Sequence, residues 1–326
     1  MLRLELDRLK HKDVRQRRRA VRRLFELDNP AALTGFVSIL DDSDSWFHDK
    51  SVEAIRLWAG PENKTLVVSL AVHQSQSMRL LASEIAPRLG SSSLDILSTL
   101  CLDDDLPVRR AAWRSRLMVD TGSIPVAIVD EDHHVRRLAI NRSGDANLIE
   151  NSLKDSHVRV RDAALNRMIA LEMEIEGVDA LLADNELRDK VADYCLPFFI
   201  KNDDQDTISK LCLDCDSALR KILSKHLEAV NWFDWKDVVT AAKQSKDEFL
   251  LPRLLRSRRE PEADTLRISL LKSSSPIVQS RVLEHMHGRQ LSDAVHTMVE
   301  SLTKSDDSLV AQAATSLLDD QAAILE

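Results

Sequence analysis

Apolar and small residues recur along this chain at i, i+4 and i+8, the spacing that lays one stripe along an amphipathic helix. In the run Val160, Ala164, Met168, the first position has Asp155 five residues before it and Arg161 directly after it. Asp103, Val108, Arg109 and Ala112 repeat that frame, as do Asp130, Val135, Arg136 and Ala139. Weaker copies are Asp42 with Phe47, Ser51 and Ile55; Met78 and Arg79 with Ala82 and Ala86; and Leu187 and Arg188 with Val191. Two more, Val278 with Val282 and Met286 and Val310 with Ala314 and Leu318, lie near the C-terminus. The anchors 47, 78, 108, 135, 160 and 187 are 25 to 31 residues apart, and Leu219 continues the series. An eroded unit around 249–254 fills the double interval before Val278, and Gln16, Ala20 and Leu24 fit one period ahead of Phe47. A fixed period of this size predicts an array of about ten units.

Each unit reads as a helix, a turn and a helix. The stripe marks the second helix, and its small i+4 residue admits a close neighbour. Acidic or Ser-rich turns precede it, at 41–44, 103–105, 130–132, 273–275 and 305–308, where side chains cap the first turn and complement its dipole. A shorter apolar helix lies upstream, as at 32–40, 93–102 and 146–153. Composition agrees. Among 326 residues there are 7 glycines, where average usage would give about 23, and aromatics make up 4%. Strand formers and turn formers are both scarce, which excludes a sandwich, a barrel or a glycine-dependent nucleotide fold.

The acid, Val, Arg and Ala frame resembles the HEAT repeat, particularly the short variety shared with phycobilisome-lyase-type proteins. The resemblance covers nearly the whole chain, is strongest over 103–170 and poorest over 225–265. It implies an all-α fold, a right-handed α-solenoid of about ten HEAT-like helix-turn-helix repeats of armadillo type. On this reading residues 1–29 form basic N-terminal capping helices and 30–326 the solenoid, with an irregular bend around 225–265. The resemblance also implies a ladder in which Asp103, Asp130 and Asp155 pair with Arg109, Arg136 and Arg161 or with their neighbours' copies. It implies no single function, because such arrays host many roles.

Catalytic variants of the architecture leave signatures to look for. The di-iron deoxyhypusine hydroxylases of this kind carry His-Glu dipeptides, and none of the ten histidines here precedes a Glu. The pairs His133-His134 and His285/His287 are expected as a solvated turn and as diverging side chains, because i and i+2 on a helix do not face each other. Cys212 and Cys215 form a CxxC without the second pair that structural zinc needs. They are expected as core residues. No cofactor and no metal are expected, and the chain is read as non-enzymatic.

Charge is uneven. Residues 1–25 hold ten Lys/Arg against three acids, a charge of +7, so the remaining 301 residues carry −15 and the total is −8. A basic head on an acidic body points to an anionic partner at one end. Arg15, Arg18, Arg19 and Arg22 surround a helix there. Their long stems would also shield the end of an array. Arg110, Arg137 and Arg167 fall on successive second helices, with Trp113 and Arg114 beside the first, an arrangement similar to the DNA alkylation-repair glycosylases built from such units. Trp232 and Trp235 mark either an exposed anchor or the packing of an irregular region. The leading expectation is a scaffold that holds a protein partner of unknown identity on its concave helix face and basic head. The alternative is a ribosome- or repair-associated RNA- or DNA-binding protein of the same shape, and a HEAT-type enzyme is a distant third. Few cysteines, a charged N-terminus and no apolar run beyond 66–72 predict a cytoplasmic protein that does not use a membrane.

Overall fold

The computed structural model describes residues 1–175 and 177–325, apart from the side chains at 273 and 323–325. The described residues form helices and turns and contain no strand. No described helix is long and apolar enough to cross a membrane. The chain divides into two compact units, Met1–Glu174 and Ile175–Glu326.

In the first unit the stripes become the helices Val14–Leu27, Ser45–Trp58, Gln76–Ile85, Leu106–Val119, His133–Ile140 and Val158–Ala170. The anchors Phe47, Met78, Val108, Val135 and Val160 are buried, as are Ser51, Ala82, Ala112, Ala139 and Ala164 four residues on. Burying each larger anchor is worth about 1.5–3 kcal/mol, and the small partners bring neighbouring backbones together. Shorter helices precede the stripes: Leu33–Val37, Lys64–Ala71, Leu94–Leu100, Ile124–Ala127 and Ala146–Ser152. Each packs on the stripe helix that follows it, and from Gln76–Ile85 to Val158–Ala170 each stripe helix packs on the next. The helix Leu2–Arg8 packs on Val14–Leu27. Gly35 faces it, and a Cβ there would overlap the Leu6 side chain and crowd Leu9.

The turn acid does two things. Its carboxylate closes its own turn, accepting from the amide two residues on: Asp44 to Asp42 at 3.0 Å, Asp105 to Asp103 at 2.9 Å, Asp132 to Asp130 at 2.8 Å and His157 to Asp155 at 2.8 Å. It can also receive the arginine of the preceding stripe helix. Arg79 Nε donates to Asp103 at 2.7 Å and Arg136 Nε to Asp155 at 2.8 Å, while Arg17 pairs with Asp42. The expected pairing therefore runs from one unit to the next, with one shift: Arg109 reaches Glu131 at 3.0 Å rather than Asp130. Each arginine also grips its own turn, as Arg136 does through Nη1 to the carbonyls of Asp130 and Glu131. At the Phe47 unit, His48 stands in the arginine's place. Its Nδ1 lies 2.7 Å from the Leu40 carbonyl, and the shorter side chain stops there.

In the second unit the helices Arg188–Lys201, Ser217–Leu227, Leu250–Leu255, Pro276–Glu284 and Ser308–Leu325 take the stripe positions, each packing on the next. Arg188 pairs with Asp216, and Arg220 with Asp247 at 2.8 Å, continuing the relay. Between Leu227 and Pro276 the sequence frame is weak, although Asp247 still closes its turn by accepting from the Phe249 amide at 3.0 Å. Arg267 Nη2 donates to the Leu255 and Arg258 carbonyls at 2.7 and 2.5 Å, and Arg258 Nη1 donates to the Glu228 carbonyl at 2.6 Å. These bonds tie the end of the helix Leu250–Leu255 and the residues after it to the C-terminal end of Ser217–Leu227. Trp232 is fully buried with its ring 4.6 Å from that of Phe233, over which the Arg258 guanidinium sits at 4.9 Å.

Candidate anion-binding groove

Three successive stripe helices of the second unit converge their cations on one concavity. Lys221 and Lys225 come from Ser217–Leu227, Arg253 and Arg256 from Leu250–Leu255 and its end, and His285, His287 and Arg289 from Pro276–Glu284 and the residues after it. They line a cavity of about 630 Å³ that also holds the carboxylates of Glu228 and Glu284. Five permanent cations against two carboxylates leave a net positive site on a chain whose total charge is −8.

Internal pairing does not remove that excess. Lys225 is held by Asp193 at 2.8 Å, and Glu284 is occupied by Arg281 at 2.8 Å. Lys221, Arg253 and Arg256 are exposed and have no ion-pair partner among the described residues. Arg289 is half-buried and donates only to the Arg258 carbonyl at 3.0 Å. Burial, then the positive charges of Arg267 and Arg259, holds its guanidinium below its ordinary value. His285 Nδ1 lies 3.3 Å from the Pro252 carbonyl. Burial lowers its imidazole against that bond, and Arg256, Arg281 and Arg253 lower it further. A concave surface with one sign of uncompensated charge raises the local concentration of the opposite sign. The groove therefore carries a net positive charge with few internal partners.

Residues expected from sequence lie elsewhere. On the helix Val14–Leu27, Arg15, Arg19 and Arg22 are exposed without a partner among the described residues. Arg18 is held by Asp44 at 3.0 Å and covers the Trp46 ring at 5.2 Å. Two members of the expected arginine row make bonds within the fold. Arg110 makes two bonds to Asp132, at 2.5 and 3.1 Å, and Arg167 Nε donates to the Ser143 carbonyl at 2.7 Å, so both are spent within the fold. Arg114 remains exposed and Arg137 half-buried. Trp113 and Trp232 are core residues whose indole N–H groups find no partner, and Trp235 is half-buried ahead of the helix Lys236–Lys243. The groove's arginines escaped the repeat frame because they sit in its eroded unit. The legible signal was local density: Arg253, Arg256, Arg258 and Arg259 within seven residues.

Two candidate ligand sets can be judged on geometry. Asp132, His133 and His134 bring ligand atoms within 4.8 Å of one another. Both oxygens of Asp132 are taken, by Arg110 and by the His134 amide, and the His133 ring lies parallel on His157 at 3.7 Å. That histidine pair is half-buried rather than solvated, and the set fits a metal poorly. Cys212 and Cys215 are both buried, with thiols pushed up to about 12, chiefly by burial. A thiol kept in its neutral form is neither a redox nucleophile nor a ready metal ligand.

No family model and no curated protein matches the chain. Among solved structures, an X-ray structure of the Escherichia coli protein YibA is similar at 16% identity, covering 92% of this chain and 96% of that one, with a TM-score of 0.35. A crystal structure of an engineered protein is similar at 14% identity, over 99% and 96% of the two chains, with a TM-score of 0.10. At such TM-scores neither likeness bears on function.

Proposed function

We propose that this chain is a HEAT-like repeat scaffold that binds without catalysing, and that it holds an anionic segment of a protein partner in the groove between Lys221 and Arg289. The observation that carries this reading is the set of four unneutralised cations, Lys221, Arg253, Arg256 and Arg289, brought together from successive stripe helices. The repeat identity is supported by the relay of arginines into the following turn and by stripe helices that pack in succession within each unit. An α-solenoid built this way presents its second helices as a continuous binding face. The test is anisotropy of a fluorescein-labelled Glu-rich peptide with the full chain. The reading expects affinity that falls as salt rises and a loss of binding on Arg253→Glu with Arg256→Glu. Equal binding by that variant refutes it.

A second reading has one observation in its favour. The exposed, unpartnered Arg15, Arg19 and Arg22 present a basic helix face suited to phosphate backbones, which give affinity without sequence information. Binding of generic RNA that is abolished by charge reversal at Arg19 and Arg22 would support it.

A further inference from the structure

The groove has a shape as well as a charge. Its volume of about 630 Å³ lies in the range of small-ligand pockets, enough for one charged group together with the adjoining part of a peptide. Its cations are arranged around one space, and three of them are arginines, whose forked donors match oxyanions of more than one oxygen. A single carboxylate would leave most of those donors unmet. A phosphomonoester carries about −1.5 to −2 charge at neutral pH and three acceptor oxygens. No Phe, Tyr or Trp lines this cavity, whose only rings are the imidazoles of His285 and His287, and the neighbouring Phe249 is covered by Arg220 at 5.6 Å, so its platform for stacked bases is small.

A second cavity of about 470 Å³ adjoins the first and shares Glu284 and His287 with it. Its walls include Ile277 and Leu309, which are 59% and 57% exposed, with Ala313 between polar side chains. A cationic pocket opening onto an apolar trough suits an anionic side chain whose neighbours along a peptide are apolar.

We infer that the groove takes the phosphoryl group of a phosphorylated serine or threonine in a linear segment of a partner, with a neighbouring apolar side chain over Ile277 and Leu309. This rests on the anionic-partner reading above and narrows it to one chemistry. Lys221, Arg253, Arg256 and Arg289 take the phosphoryl oxygens, and the trough takes the flanking residue.

The test titrates the full chain with fluorescein-labelled peptides of one sequence, the central residue being phosphoserine, glutamate or serine and flanked by leucines. The phosphopeptide is expected to bind tighter than the glutamate peptide by about tenfold or more, the effect of one or two added charge-assisted bonds. Arg253→Ala with Arg256→Ala removes that preference, and Arg19→Ala with Arg22→Ala leaves it intact. All four arginines are exposed, so both variants retain the fold. Leu309→Asp weakens the phosphopeptide severalfold. Equal affinity for the phosphoserine and glutamate peptides overturns this inference and leaves the anionic-partner reading standing, whereas no binding by any peptide overturns both. Inorganic phosphate competing as well as the peptide overturns the role of the segment, and a single-stranded RNA that displaces the phosphopeptide at lower concentration overturns the ligand class.

Discussion

Arg136 holds Asp155 through two parallel bonds of 2.8 Å, Nε to Oδ2 and Nη2 to Oδ1, between residues 19 apart in the chain. The same guanidinium spends Nη1 on two carbonyls of its own turn, and the same carboxylate accepts the His157 amide. One ion pair therefore ties two turns and two helices together, with each side chain only 14% exposed. Removing Asp155 strands donors that water reaches poorly.

Asp155→Ala is accordingly expected to destabilise the fold by about 1–3 kcal/mol, read as a lower urea midpoint. Arg136→Lys keeps the charge but loses the fork, and recovers little of that loss. Arg22→Ala, on an exposed and unpaired side chain, stays within about 0.5 kcal/mol of the parent. A neutral Asp155→Ala would show that the relay contributes nothing to stability.

Stability is expected to fall in two stages on acidification. Burial opposes ionisation of Asp103, Asp132 and Asp155, but their bonds to Arg79, Arg110 and Arg136 outweigh it and hold all three carboxyls below the ordinary value. Asp42 is lowered chiefly by Arg17. Folded values below unfolded ones mean that this contribution is complete above the unfolded value of about 3.9 and is lost as pH falls through the folded values. Burial also lowers His133 and His134, His157 adding to the effect on His133 and Arg110 to that on His134. The unfolded chain then takes up protons first, and a shallow decline begins below about pH 6.5. Urea midpoints measured from pH 7.5 to 3 check both stages. Asp155→Asn should flatten the acid limb, and greater stability at pH 5.5 than at 7 would contradict the sign.

Trp113 packs in the core with the Arg116 guanidinium 5.3 Å from its ring and an indole N–H that finds no partner. Trp113→Phe removes that stranded donor but also part of the ring's volume, and is expected to cost less than Trp113→Ala. Trp113→Ala should cost about 3–5 kcal/mol. Thermal melts separate the two, and acidic-peptide affinity should be unchanged in the phenylalanine variant.

The four thiols are predicted to be inert in the native state. Cys101, Cys212 and Cys215 are pushed up to about 12 and Cys195 to about 11, burial being the main cause in each. Alkylation by iodoacetamide at pH 8, followed by mass spectrometry, should label none before denaturant is added and all four afterwards. Rapid native labelling at Cys215 would reopen a reactive role for the pair.

The all-helical class and the stripe helices were legible because one period governs them: a buried anchor, a small residue four on, and an acid in the turn before. Asp103 and Asp155 could be expected to find arginines for the same reason. The donors' registers were less legible, since whether Arg109 meets Asp130 or Glu131 depends on a side chain's reach across a turn. The groove was hidden for a different reason. Arg253 and Arg256 lie in and just after the short helix Leu250–Leu255, where the repeat frame is weakest, and residues far apart in the chain assemble the cavity. Of the expected arginine row, Arg110 and Arg167 are bonded within the fold, because stripe spacing reports which face a side chain occupies, not whether a neighbouring acid or carbonyl has claimed it.

The most direct test of the account is to map where an acidic ligand sits. A Glu-rich peptide carrying one diazirine, photolysed with the full chain and digested, should leave its adducts on residues between 221 and 289. Adducts confined to the helix 14–27, or none at low salt, would contradict it.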